Sequence, residues 1–147
     1  TKNMNFLQML QDIYIKYGYS HEAGISLVRK GKTGAEEIVA IMKSFRENPP
    51  KQLAGSDVVT VKDYADLNMK NLKTGEITKM DMPTTSNVLQ FFTADGTKVS
   101  IRPSGTEPKI KFYVEVKGEM KTNADYAKAN NEANAKIEAI KKDLGID

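Results

Sequence analysis

The sequence predicts an α+β domain, a mainly antiparallel sheet of four to five strands backed by two helices. Three observations carry that reading. Residues 109–117 alternate strictly, with Ile110, Phe112, Val114 and Val116 on one side and Lys109, Lys111, Tyr113, Glu115 and Lys117 on the other. Such a strand has one buried and one wet face. Asp95-Gly96 stands between the apolar runs 88–92 and 98–101 and predicts a two-residue hairpin. Two segments of helical period, one in each half of the chain, supply a layer to cover the sheet.

Taken in order, residues 4–17 place Phe6, Met9, Leu10, Ile13, Tyr14 and Tyr17 near helical spacing, and Gly18 is suited to end that helix. Residues 22–30 read as a short strand. Thr33-Gly34-Ala35-Glu36 fits a capping box, in which hydroxyl and carboxylate each satisfy a free backbone N–H. Behind it Ile38, Ile41, Met42 and Phe45 form one apolar face, and Pro49-Pro50 stops the helix. Residues 57–64 are rich in β-branched side chains and predict a strand. The stretch 65–87 alternates only weakly around a turn at Lys73-Thr74-Gly75 and reads as an excursion on the sheet edge. Thr122 or Asn123 caps a last helix with Tyr126, Ala129, Ala133, Ile137, Ile140 and Leu144 inward, closed by Gly145.

The 147 residues are enough for one core, and 39% apolar with 28% charged residues is the balance of a globular domain. No run approaches a membrane span, so no membrane partner is expected. The absence of cysteine excludes disulfides and thiol chemistry and is compatible with a cytoplasmic location. A net charge of +3, from 22 basic against 19 acidic residues, falls short of a nucleic-acid-binding block. One local basic cluster is still sufficient for a small anion.

That cluster lies between the two best-defined strands, in Ser100-Ile101-Arg102-Pro103-Ser104-Gly105-Thr106-Glu107-Pro108-Lys109-Ile110-Lys111. Arg102 brings a planar fork of donors matched to phosphate oxygens. Ser104 and Thr106 add hydroxyls, and Gly105 allows a close backbone approach to an anion. The two prolines stiffen the ends, and Lys109 and Lys111 follow on the outgoing strand. By residue type alone a phosphate clip and a plain β-turn both account for this composition.

The string RPSGTEPKIKFY resembles the phosphate-binding loop in the last domain of the α-D-phosphohexomutases, in the bacterial phosphoglucomutase/phosphomannomutase branch. The likeness extends over most of the chain. It implies a fold like that of the TATA-binding protein. Residues 1–19, ending Tyr17-Gly18-Tyr19, would be the terminal helix of the preceding third domain, and residues 20–147 the C-terminal phosphate-binding domain. A start without Met fits a piece of something longer. The resemblance also implies that Arg102, Ser104, Gly105, Thr106 and Lys109 hold the phosphate of a glucose or mannose phosphate, with Lys111 as exposed strand surface and Glu107 as a structural residue. The phosphoserine nucleophile, the ligands of Mg2+ and the sugar-reading loop would lie in the three preceding domains. No catalytic or metal-binding residue and no bound metal are then expected here, and the chain is expected to be inactive alone.

The other residues are assigned plainer roles. His21 is the sole histidine, so a metal site or a Ser–His pair lacks partners. Asp63, Asp66 and Asp81 do not space like metal ligands. The alternative is a non-enzymatic nucleic-acid-binding module using Lys109, Lys111 and Lys117 on the open sheet face. Glu115 and Glu119 interrupt that row, and Tyr113 is its one clear stacking aromatic, so no nucleic-acid partner is expected.

Overall fold

In the computed structural model, which describes residues 6–31 and 33–146, helix α1 (Phe6–Tyr17) leads into β1 (Tyr19–Val28), α2 (Gly34–Glu47), β2 (Gln52–Leu53) and β3 (Ser56–Asp63). Strands β4 (Asn68–Asn71), β5 (Ile77–Lys79), β6 (Leu89–Thr93), β7 (Lys98–Pro103) and β8 (Lys109–Gly118) follow, then a 3₁₀ turn (Asn123–Asp125) and α3 (Tyr126–Leu144). The predicted start of the first helix at residue 4 lies outside the described residues.

Every strand pairing is antiparallel, and the sheet runs β1-β8-β7-β6-β3-β4-β5 with β2 added on β3. The α+β class stands, but the sheet has eight strands where four to five were expected. The additions are the short β2 and the pair β4 and β5, drawn from the stretch read as an edge excursion. Residues of β4 and β5 are exposed or half-buried throughout. Backbone pairing rather than an apolar face holds them, so no alternation marks them in the sequence.

Ile110, Phe112, Val114 and Val116 of β8 are buried, as the alternation predicted, together with Phe91, Val99 and Ile101 of the neighbouring strands. Over them lie Ile38 and Met42 of α2 and Ala129, Ala133, Ile137, Ile140 and Leu144 of α3, all in one core. Phe45 of α2 sits tilted against Phe91 and edge-on to Phe112, with ring centres 6.0 and 6.1 Å apart. Among the described residues no helix covers the opposite face of the sheet.

Local details correct two expectations. Thr33 adopts a helical conformation (φ −89°, ψ −5°) and makes no side-chain cap, so the predicted box at Thr33–Glu36 does not form. A cap needs extended backbone to turn the hydroxyl toward the free N–H groups; here Thr33 Oγ1 instead approaches Glu37, 3.5 Å away. The box forms at Thr122 and Asp125, where Thr122 is extended (φ −139°, ψ 166°). The hairpin at Asp95-Gly96 is a three-residue loop: Thr93 N–H donates to the Thr97 carbonyl at 3.0 Å, and Gly96 takes φ 89° to bring the chain back into register. Of α1, Tyr14 and Ile15 pack on the core. Phe6, Met9, Ile13 and Tyr17 of the predicted apolar stripe are exposed, Phe6 by 80% and Tyr17 by 73%.

Strand β1 begins three residues before its predicted start because Tyr19 is drawn into the core. Tyr19 is 1% exposed, its hydroxyl donates to Asn130 Oδ1 at 2.9 Å, and Tyr14 meets its ring edge-on at 4.9 Å. Burial, with Tyr126 and Tyr14 beside it, pushes the Tyr19 phenol up to about 12.

Candidate phosphate-binding site

The antiparallel register of β7 and β8 sets Arg102 directly opposite Lys111 and Pro103 opposite Ile110. Since Ile101, Ile110 and Phe112 are buried, strand alternation puts both cations on the helix-free face. Among the described residues neither has a carboxylate within ion-pair distance. Like charges paired across strands are destabilising by up to about 1 kcal/mol. An anion between them would turn that repulsion into attraction.

Between the strands the loop 104–108 is held by its own backbone. Ser104 N–H donates to the Lys109 carbonyl and Lys109 N–H to the Glu107 carbonyl, each at 2.8 Å. Thr106 N–H donates to Ser104 Oγ at 3.3 Å, and the two hydroxyl oxygens lie 3.4 Å apart. Among the described residues, the backbone N–H groups of Gly105 and Glu107 have no acceptor within the chain. Gly105 is not in the left-handed region, and a Cβ built there would meet nothing within 4 Å. The folded chain itself therefore does not demand glycine at this point.

The outgoing end of the loop is anchored on α2. Arg29 N–H donates to the Pro108 carbonyl at 2.9 Å, and Arg29 Nε meets Glu37 Oε2 at 3.2 Å. A Cβ on Gly34 would come 2.6 Å from the Arg29 carbonyl oxygen and 3.2 Å from Pro108 Cβ, so the helix starts in direct contact with the loop.

Arg102, Ser104, Gly105 and Thr106 thus gather at one hairpin end. Lys109 differs: its ammonium faces Glu107 Oε2 at 3.8 Å. Lys111 has no such neighbour. The resemblance names Lys109 and leaves Lys111 as strand surface; neither the Glu107 contact of the first nor the cross-strand partner of the second is visible in one dimension.

Farther along the same face Glu115 takes Lys117 at 2.5 Å and Lys98 at 3.6 Å. The Lys117 hydrogen bond, with both positive charges, holds its carboxyl below the usual range despite partial burial. This pairing occupies one of the three lysines on which the nucleic-acid alternative rested. His21 stacks on Tyr19 at 6.3 Å. Asp63 accepts from Arg46 Nε at 2.9 Å and from Ala65 N–H at 3.0 Å. Among the described residues no three His, Cys, Asp or Glu side chains are placed to hold a metal ion, and no helix is long and apolar enough to cross a membrane.

The fold and loop together define a helix-backed antiparallel α+β domain with a rigid, cation-flanked hairpin loop. The family profile of the phosphoglucomutase/phosphomannomutase C-terminal domain matches residues 27–133, which include this loop and leave α1 outside. A phosphoglucomutase of Staphylococcus saprophyticus is 34% identical over 131 residues, 89% of this chain and 23% of the relative. One of Staphylococcus aureus (strain MRSA252) is 36% identical over 108 residues, 74% of this chain and 19% of the relative. Among solved structures, pp63/parafusin, a phosphoglucomutase from Paramecium, aligns with 98% of this chain and 25% of its own at a TM-score of 0.41 and 15% identity. The chain belongs to the phosphoglucomutase/phosphomannomutase C-terminal domain family. It spans between 19% and 23% of the length of these curated relatives.

Proposed function

We propose that this chain is the phosphate-gripping domain of a hexose-phosphate mutase, holding the phosphate that is not being transferred. The observation that carries the reading is the Arg102–Lys111 couple, without a carboxylate partner among the described residues, beside a loop with two hydroxyls and two backbone N–H groups that find no acceptor among those residues. The guanidinium would bind two phosphate oxygens through its fork. The N–H groups of Gly105 and Glu107, with the hydroxyls of Ser104 and Thr106, would take the remaining lone pairs. Lys111 would add a point charge, and Lys109 would contribute after parting from Glu107.

An intramolecular phosphoryl exchange on a glucose or mannose phosphate leaves the sugar to be held first by one phosphate and then by the other. A preformed clip suits this, because it takes either phosphate without being reordered each time. The loop's own hydrogen bonds and its contact with α2 supply that rigidity. The nucleophile and the ligands of Mg2+ belong, on this reading, to three preceding domains of the same enzyme, and the chain alone does not catalyse. Helix α1, with its exposed stripe, belongs to the third of those domains.

A titration of the purified chain with inorganic phosphate, followed by amide NMR, tests the reading. The expected result is saturable shifts at residues 102–111, centred on Gly105 and Glu107, together with no conversion of glucose 1-phosphate to glucose 6-phosphate. Phosphate-induced shifts elsewhere with a silent loop, or measurable mutase activity of the chain, would overturn it.

A further inference from the structure

We propose that the sugar ring rests on the open sheet face next to the loop, with Tyr113 as its stacking platform and Ser100 and Glu115 as partners for its hydroxyls. The proposal rests on the phosphate reading of the loop and extends it to residues outside the motif.

The sheet register lays out three parallel rows across β7, β8 and β1. The first holds Arg102, Lys111 and Ser26; the second Ser100, Tyr113 and Gly24; the third Lys98, Glu115 and Glu22. All nine positions share the helix-free face, because their strand neighbours turn toward the helices. Successive rows are about 6.8 Å apart along a strand, twice the rise per residue. A pyranose esterified to a phosphate on the first row reaches the second, whose groove Lys98 and Glu115 of the third also line.

Each row has the chemistry its place requires. Tyr113 is 48% exposed, so its ring is available to the C–H face of a sugar. Across from it Gly24 leaves space: an added Cβ would lie 4.0 Å from the Tyr113 ring and meet nothing nearer. The result is an open groove of about 490 Å³ over Glu22, Gly24, Lys98, Ser100, Tyr113 and Glu115. Ser100 Oγ accepts from Gln90 Nε2 at 3.0 Å, which leaves its own O–H free to donate. Glu115, kept ionised by Lys117 and Lys98, accepts from sugar hydroxyls. The same carboxylates repel a nucleic-acid backbone, so the face is suited to a neutral polyol carrying one phosphate.

The test compares two probes on the purified chain, inorganic phosphate and glucose 6-phosphate. The wild-type chain should bind glucose 6-phosphate about three- to tenfold more tightly than phosphate, the range of one aromatic contact. Tyr113→Ala should abolish that preference while leaving phosphate affinity and its loop shifts unchanged. Gly24→Thr, a strand-compatible change that fills the groove, should do the same and guards against a folding defect at Tyr113. If both variants keep the wild-type preference, the platform is refuted and the phosphate loop stands. If neither probe shifts the loop of the wild-type chain, loop and platform fall together.

Discussion

Arg102→Ala separates a binding loop from a structural turn, because the two roles predict opposite outcomes for stability and affinity. Arg102 is exposed, has no carboxylate partner among the described residues, and faces Lys111. Removing it takes nothing from the core and relieves a like-charge pairing, so stability should stay constant or rise by up to about 1 kcal/mol. Affinity should move the other way. Hydrogen bonds to charged groups contribute about 1.5–3 kcal/mol each, and solvent exposure places the open chain at the low end. The chain should lose roughly tenfold in phosphate affinity, and the complete enzyme, with its cleft closed, up to a few hundred-fold in kcat/KM. Arg102→Lys should recover part of this, since an ammonium keeps the charge without the planar fork. Phosphate titration by NMR and thermal melting on one set of samples read both quantities. Unchanged affinity in both variants, or an alanine variant that melts well below wild type, would refute the assignment.

Two further expectations concern the scaffold. Burial opposes the charge on Asp95, but the Lys136 ammonium and the hydroxyls of Thr93 and Thr97 outweigh it and hold its carboxyl well below the usual range. Its stabilising contribution is therefore complete above the ordinary carboxylate pKa, near 4, and is lost as pH falls below that value. Asp95→Asn should cost about 1–2 kcal/mol at neutral pH and flatten the fall in Tm between roughly pH 5 and 2; an unchanged acid limb would contradict the linkage. Gly34→Ala drives a Cβ to 2.6 Å from the Arg29 carbonyl oxygen and into contact with Pro108. It should lower stability by about 1–3 kcal/mol and weaken phosphate binding with no change in charge, a combination read by melting and titration together.

What was legible in the sequence followed from burial. The inward residues of β8 and α3 alternate or recur because each strand and helix must hide one side, and those predictions stand residue by residue. The final helix could be read to its last residue, since Gly145 does adopt the left-handed φ of 73° that ends it. Strands β4 and β5, held by backbone pairing without a buried face, left only weak alternation, and β2, with Leu53 buried beside an exposed Gln52, is too short to show a period. The capping box at Thr33 failed for a different reason: the motif specifies side chains, whereas the cap depends on the backbone conformation of the first residue. The loop residues were legible as a group by their resemblance to a family. The pairing of Arg102 with Lys111 was not legible, because it is a product of register between two strands.

That register also explains how the domain tolerates a charged couple at its hairpin end. On each strand a residue next to the cation points the other way into the core: Ile101 beside Arg102, and Ile110 and Phe112 on either side of Lys111. Ile101, Ile110 and Phe112 are fully buried, each contributing about 1.5–3 kcal/mol on transfer from water. The repulsion on the opposite face, at most about 1 kcal/mol, is therefore small beside the apolar burial that fixes the same backbone. On the proposed reading, stability and anion affinity are carried by alternate residues of the same two strands. Because the buried residues fix the backbone, neutralising a cation leaves the loop in place, and an anion can be drawn to a site whose geometry does not depend on its arrival.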